Sequence, residues 1–233
     1  QMNDGLQAVL YGYKAGRAYR SATDLYSVAQ YAYNRLAKEG NTAELQALCA
    51  DLLRYGARAQ SYKGYRVDSP ADQAMTDGHK SHLSDIEAVT FGNTNVVQND
   101  LPNAPIIWAG KSLNLESKVV LKFVFHPANY TGDLSALTLR ISYTDAHGNT
   151  KTATVADPVL YNPQLGYYVF TVDSLLAAEL RAVVSVQIYA GETPVSCTLQ
   201  YSADTYGNNK SGQLLTLCRA LFAYSDTAKA YFS

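Results

Sequence analysis

The chain has 233 residues and a formal net charge of −1, length enough for one large domain or two small ones with cores of their own. A charge this close to zero excludes charge-driven binding to nucleic acid or to an anionic membrane, and no apolar run is long enough to span a bilayer. The departure from ordinary usage is 19 Tyr against 6 Phe and a single Trp. Tyr joins an apolar face to a polar tip, which suits half-buried packing first and glycan contacts second.

The start, Gln1-Met2-Asn3-Asp4, has no signal-peptide pattern and reads as the edge of a fragment cut from a longer protein. Residues 6–11 and 18–26 read as two strands around a turn at Lys14-Ala15-Gly16. A helix is expected from Val28 to Lys38, with Gly40 as its C-cap. Asn41 and Glu44 are spaced as a capping box that would open the next helix.

That next helix occurs twice in the chain. Leu45, Leu48, Cys49, Leu52, Tyr55, Ala59 and Tyr62 align at one constant offset with Leu214, Leu217, Cys218, Leu221, Tyr224, Ala228 and Tyr231. With the cysteines set aside, the steps between these positions alternate three and four and describe a helical seam with one buried face. The strands before each copy repeat too, since Tyr26-Ser27 matches Tyr201-Ser202 and Tyr31 matches Tyr206. The repeat unit is therefore two strands, a short helix and the seam helix. In the second copy Gly207 to Gly212 interrupts the short helix, and only a turn is expected there.

Residues 63–84 are polar, hold Pro70 and Gly78, and read as a connector. From Asp85 the period changes to two. Weak strands are expected at 86–91 and 106–108. Clearer ones follow at 119–125, 137–143, 150–155, 168–172, 184–189 and 195–201. Asp145 to Asn149 reads as a hairpin turn, and Ser174 as the cap of a short helix over 175–180. The expected fold class is α+β: an Ig-like antiparallel β-sandwich, residues 85–203, flanked by helical hairpin elements at 1–84 and 204–233.

Cys49 and Cys218 sit at equivalent seam positions and read as small buried hydrophobes, and Cys197 lies in an expected strand. No CxxC pair points to zinc or to a disulfide framework. His79 and His82 lie in the polar connector without further ligands near them in sequence. The acidic pairs Asp72/Asp77 and Asp133/Asp145 have nothing that brings them together as a glycosidase dyad. No Gly-x-Ser-x-Gly elbow, Walker loop or dinucleotide fingerprint is present. A hairpin turn explains Asp145 to Asn149 without calcium. No enzyme, metal or cofactor is expected on these grounds.

Tyr26-Ser27-Val28, Tyr31-Ala32-Tyr33 and the seam from Leu45 to Tyr62 resemble a module of secreted and cell-surface proteins of gut Clostridia. Ser112-Leu113-Asn114-Leu115-Glu116 and Ala177-Ala178-Glu179-Leu180 resemble it as well. The second seam departs from the motif, with Ser225-Asp226 in place of Gly-Ala. The resemblance implies a secreted or cell-surface setting beside glycan-degrading, adhesin and starch-adherence domains. It carries over no binding residue, because the recognisable motif is the packing seam.

Three places are expected to touch sugar. Trp108, followed by Ala109-Gly110, could stack on a pyranose ring, although core packing is the default for a lone Trp. Asn129-Tyr130 and Tyr161-Asn162 are loop pairs that offer a ring beside a bidentate amide. The expectation is a non-catalytic carbohydrate-binding accessory module, its partners a polysaccharide or host glycan and the neighbouring domains of its parent protein. The alternative is a structural spacer or protein-docking module with no ligand.

Overall fold

The computed structural model describes the backbone of residues 6–8, 11–14, 17–20 and 24–26, and all atoms of residues 27–115 and 119–233. The expected turn at Ala15-Gly16, the start Gln1-Met2-Asn3-Asp4 and motif residue Glu116 lie outside the described residues. The chain divides into two compact units: residues 1–88 with 211–227, and residues 89–210 with 228–233.

In the first unit β1 (Leu6–Ala8) pairs antiparallel with β4 (Asp24–Tyr26), and β2 (Tyr11–Lys14) with β3 (Arg17–Arg20). The N-terminal strands thus pair with one another. Helix α1 (Val28–Leu36) begins where the Ser27 side chain accepts from the Gln30 amide at 3.0 Å. Helix α2 (Ala43–Lys63) is capped by Thr42, which accepts from the Leu45 amide. The expected cap, Asn41, instead donates to the Arg35 carbonyl and closes the end of α1. Gly64 ends α2 in the left-handed region, φ 63°, which a side chain rarely adopts.

Small residues let α1 and α2 approach closely. Ala29, Ala32 and Leu36 meet Cys49, Ala50, Leu53 and Ala57, and Ala71 and Met75 from the connector complete this core. The connector is anchored rather than loose. Tyr33 Oη donates to the Ala71 carbonyl at 2.9 Å and accepts from the Ala74 amide at 3.1 Å, and Gln60 accepts from the Ala71 amide at 2.7 Å. Its one helical turn, α3 (Asp77–Lys80), uses His79 as a capping partner of Thr76.

Helix α4 (Gly212–Phe232) is the second seam. The two seams meet: the Tyr55 and Tyr224 rings stack at 5.9 Å with planes 3° apart. The expectation of a single buried stripe is corrected for α2. Its seam residues Leu45, Leu48, Leu52 and Tyr55 are half-buried, while the seam's Cys49 is buried together with Ala50, Leu53 and Ala57 from outside the seam. The reason is that α2 has two partners, α1 on one flank and Tyr224 of α4 on another.

The polar centre of this unit is Asp51, fully buried. It pairs with Arg54 at 2.5 Å and accepts from the Ser84 hydroxyl at 2.6 Å and the Ser84 amide at 3.2 Å. Arg54 also donates to the Ser84 carbonyl at 2.7 Å. Burial pushes the Asp51 carboxyl up from its ordinary range, against the opposing pull of Ser84, Arg54 and Thr227.

Among the described residues of the second unit, ten strands form two antiparallel sheets. One runs β10 (Val159–Asn162), β11 (Tyr167–Val172), β7 (Val119–His126), β6 (Ile107–Leu115). The other runs β5 (Asn95–Val97), β14 (Leu199–Ser202), β12 (Val183–Ala190), β8 (Leu137–Thr144), β9 (Thr150–Val155), with β13 (Thr193–Pro194) on β12. Their inner faces bury Phe123, Phe125 and Phe170 from one sheet against Leu139, Ile141, Val186, Ile188 and Leu199 from the other. Phe123 meets Tyr201 edge-on at 6.1 Å. The fold is α+β with a sandwich-like pair of sheets.

Four local expectations change. Residues 86–91 form no strand, and the pairing segment is Asn95–Val97. The Gly92 amide is instead held by Asp204, and the Phe91 ring fills the place where a β-carbon on Gly207 would stand. The strand expected over 195–201 begins only at Leu199, as β14, and Cys197 lies in the irregular stretch between it and β13. The helix expected at 175–180 is a 3₁₀ turn, Ala177–Glu179. Where only a turn was expected around Gly207 to Gly212, a 3₁₀ segment, Ala203–Asn209, runs up to and into the interruption.

Replacing Asp51 by Ala strands the Arg54 guanidinium in the core and is expected to cost about 3–5 kcal/mol of stability. Chemical denaturation checks this, and the Asp51→Leu/Arg54→Leu pair is expected to recover much of the loss. A second expectation concerns alkaline pH. Burial pushes the Tyr55 phenol up to about 12, so folding favours its protonated form. The associated stability is complete below the ordinary tyrosine pKa near 10 and is lost as pH rises through about 12. Tyr55→Phe should flatten that part of the stability–pH curve.

Candidate functional site

The structure gathers the sequence-predicted residues at one end of the four-stranded sheet but gives them separate tasks. Trp108 lies near the start of β6, where Ile107 faces His126 at the end of β7. Asn129 and Tyr130 follow β7. Tyr161 and Asn162 end β10, beside the start of β11. Trp108 is half-buried on the inner side, edge-on to Phe123 at 6.3 Å, and its indole N–H donates to the Cys197 carbonyl at 2.8 Å. It packs the sandwich. The Asn162 side chain accepts from the amides of Gln164 and Leu165 and so closes its own turn. The Asn129 amide is bound to the Pro105 carbonyl, and its side chain is exposed. Tyr130 folds back over Gly132, half-buried. Tyr161 is 55 % exposed at a bulge in the edge strand. β10 and β6 are opposite edges of the sheet, so Tyr161 and Trp108 do not form one platform.

A different surface gathers uncommitted polar groups. The outer face of the six-stranded sheet carries a groove of about 400 Å³ across β9, β8 and β12, reaching Thr198 just ahead of β14. Its origin is the alternation of the strands. Leu139 and Ile141 of β8, and Val186 and Ile188 of β12, are buried inside, so their neighbours point outward. Register then sets Thr152, Ser142, Ser185 and Gln200 side by side, one per strand. The short serines at the two central positions make the floor of the groove.

The adjacent row is taller and stands as a wall. It holds Thr154, Arg140 and Gln187 in register, with Tyr189 beside them. The Arg140 guanidinium lies 4.0 Å over the Tyr189 ring, pairs with Glu192 at 2.7 Å and donates to the Gly191 carbonyl at 2.9 Å. Tyr189 Oη donates to Gln187 Oε1, and Gln187 Nε2 donates to the Ser196 carbonyl, both at 2.9 Å. The wall is pre-organised by its own bonds. The hydroxyls of Ser142, Ser185, Thr152 and Thr154, by contrast, make no hydrogen bond to another described residue and are open to a ligand.

The hairpin expected from Asp145 to Asn149 is present, and its carboxylate closes the turn. Asp145 accepts from the amides of Asn149 at 2.8 Å and His147 at 2.9 Å and pairs with Lys151 at 3.3 Å. The Asn149 amide, foremost, holds its pKa below the usual carboxylate range. Cys49 and Cys218 are buried and form no disulfide among the described residues. Among the described residues no group of three or more His, Cys, Asp or Glu is placed to hold a metal ion, and no helix is long and apolar enough to cross a membrane.

The alternation that builds the groove was visible in residues 137–143 and 184–189. The pairing of Ser142 with Ser185 was not, because register between strands some forty residues apart leaves no mark in either one. Comparison with models of known families, with curated proteins and with solved structures found no match to this chain.

Trp108→Phe is expected to lower stability by about 1 kcal/mol, since it removes the indole N–H bond to the Cys197 carbonyl and leaves that oxygen only the Ser196 hydroxyl at 3.1 Å. Urea melts monitored by circular dichroism check this, and an unchanged midpoint would remove the packing role assigned to the indole.

Proposed function

We propose that the chain is a non-catalytic carbohydrate-binding accessory module of an extracellular, gut bacterial protein that processes polysaccharides or host glycans. One observation carries the reading: an open groove floored by unpartnered hydroxyls and walled by a fixed amide, guanidinium and phenol. Sugars present many hydroxyls that both donate and accept, and a site for them needs convergent polar groups held in place. The sheet supplies that placement at little conformational cost, because its backbone is already ordered by the core beneath it. The extracellular setting and the glycan-processing parent rest on the family resemblance of the seam and strand-end motifs. Tyr161 and Asn129, exposed at the end of the other sheet, remain available to a second contact.

Native affinity electrophoresis of the whole chain through gels containing starch, xylan, glucan or mucin tests the proposal. Retardation is expected on at least one of them. Filling the groove floor with Ser185→Trp should abolish it while leaving the circular dichroism spectrum unchanged, since position 185 points away from the core. Free migration through every gel would overturn the reading in favour of a spacer without a ligand.

A further inference from the structure

Resting on that reading, the geometry points to one ligand class: we infer that the groove takes an uncharged, extended polysaccharide, gripped along its length and laid across the strands. Charge selects the first property. Among the described residues Arg140 is the only charged one lining the groove. Its guanidinium already faces the Glu192 carboxylate, the Gly191 carbonyl and the Tyr189 ring. The other polar side chains in the groove are hydroxyls and an amide. No cation is left over to reward a uronate, sulfate or phosphate, and an anionic chain would also meet Glu192, 90 % exposed at its side chain.

Shape selects the second property. The floor row steps from Thr152 through Ser142 and Ser185 towards Gln200. Within the groove the two interstrand steps from Thr152 to Ser185 span about 10 Å, longer than a single pyranose, and the row continues beyond it to Gln200, whose side chain accepts from Gln98. Inside the groove the strand spacing places one hydroxyl-bearing residue on each of three successive strands, Thr152, Ser142 and Ser185. At one end the row runs out over β9, an edge strand, so the sheet has no wall there to stop a chain and select for its terminus.

The ring of Tyr189 shapes the third property. Arg140 covers one face of it at 4.0 Å. The wall therefore offers donors and acceptors more than a bare stacking platform, and grip has to accumulate over several sugar units.

Isothermal titration and affinity gels on the whole chain test this, with neutral glucans and xylans set against polygalacturonate, and with neutral oligosaccharides from two to six units. The expected result is retention by a neutral polymer, insensitive to salt, with affinity rising at least about tenfold between the disaccharide and the tetrasaccharide and then levelling. A Thr152→Ala/Thr154→Ala variant should weaken the tetrasaccharide by a larger factor than the disaccharide. Preference for polygalacturonate, binding that fades with added salt, or a disaccharide as tight as the polymer would each overturn the inference while leaving carbohydrate binding intact. Retention by none of these polymers, with starch and mucin also negative, would overturn the carbohydrate reading itself.

Discussion

Burying one side of a strand decides what the other side shows. In β8 and β12 the inward set, Leu139, Ile141, Val186 and Ile188, is removed from water almost entirely. A slip of one residue in either strand would turn these side chains to solvent and drive Ser142 or Ser185 into the core. The apolar set therefore holds the register, and the register holds the hydroxyl row. The floor of the groove is a by-product of core packing, while Gly191, Glu192 and the Ser196 carbonyl fix its wall.

Much of the fold was legible in residue order. Alternation marked β7, β8, β11 and β12, and a helical period marked α1, α2 and α4. What escaped was decided by partners far away in sequence. Val159 to Asn162 looks like a loop between Pro158 and Pro163, yet it pairs with β11 as an edge strand. The segment before β5 looks weakly extended, but Asp204 and Gly207 hold it as an irregular run. Thr42 competes with Asn41 for the cap of α2, and only the position of Arg35 decides between them.

The candidate site shows the same division. A single Trp and two aromatic–amide pairs stand out in composition, and the structure shows why standing out is a weak guide. Trp108 uses its N–H on the Cys197 carbonyl, and Asn162 closes a turn. The groups left open are ordinary serines and threonines, which become notable only when strands from four parts of the chain are laid side by side. Asp51 is the counterpart in the first unit. Nothing in the seam pattern marks it as more than a surface acid, whereas Arg54 and Ser84 make it the buried centre of that unit.

The stacked rings of Tyr55 and Tyr224 carry one more consequence. They are equivalent positions of an internal repeat, so at this point the chain meets its own likeness. Contact between matching points on two copies of one surface is the hallmark of two-fold association between separate molecules. Here the matching helices belong to one polypeptide. The pairing is unimolecular, does not weaken on dilution, and covers a tyrosine face that either copy alone would expose.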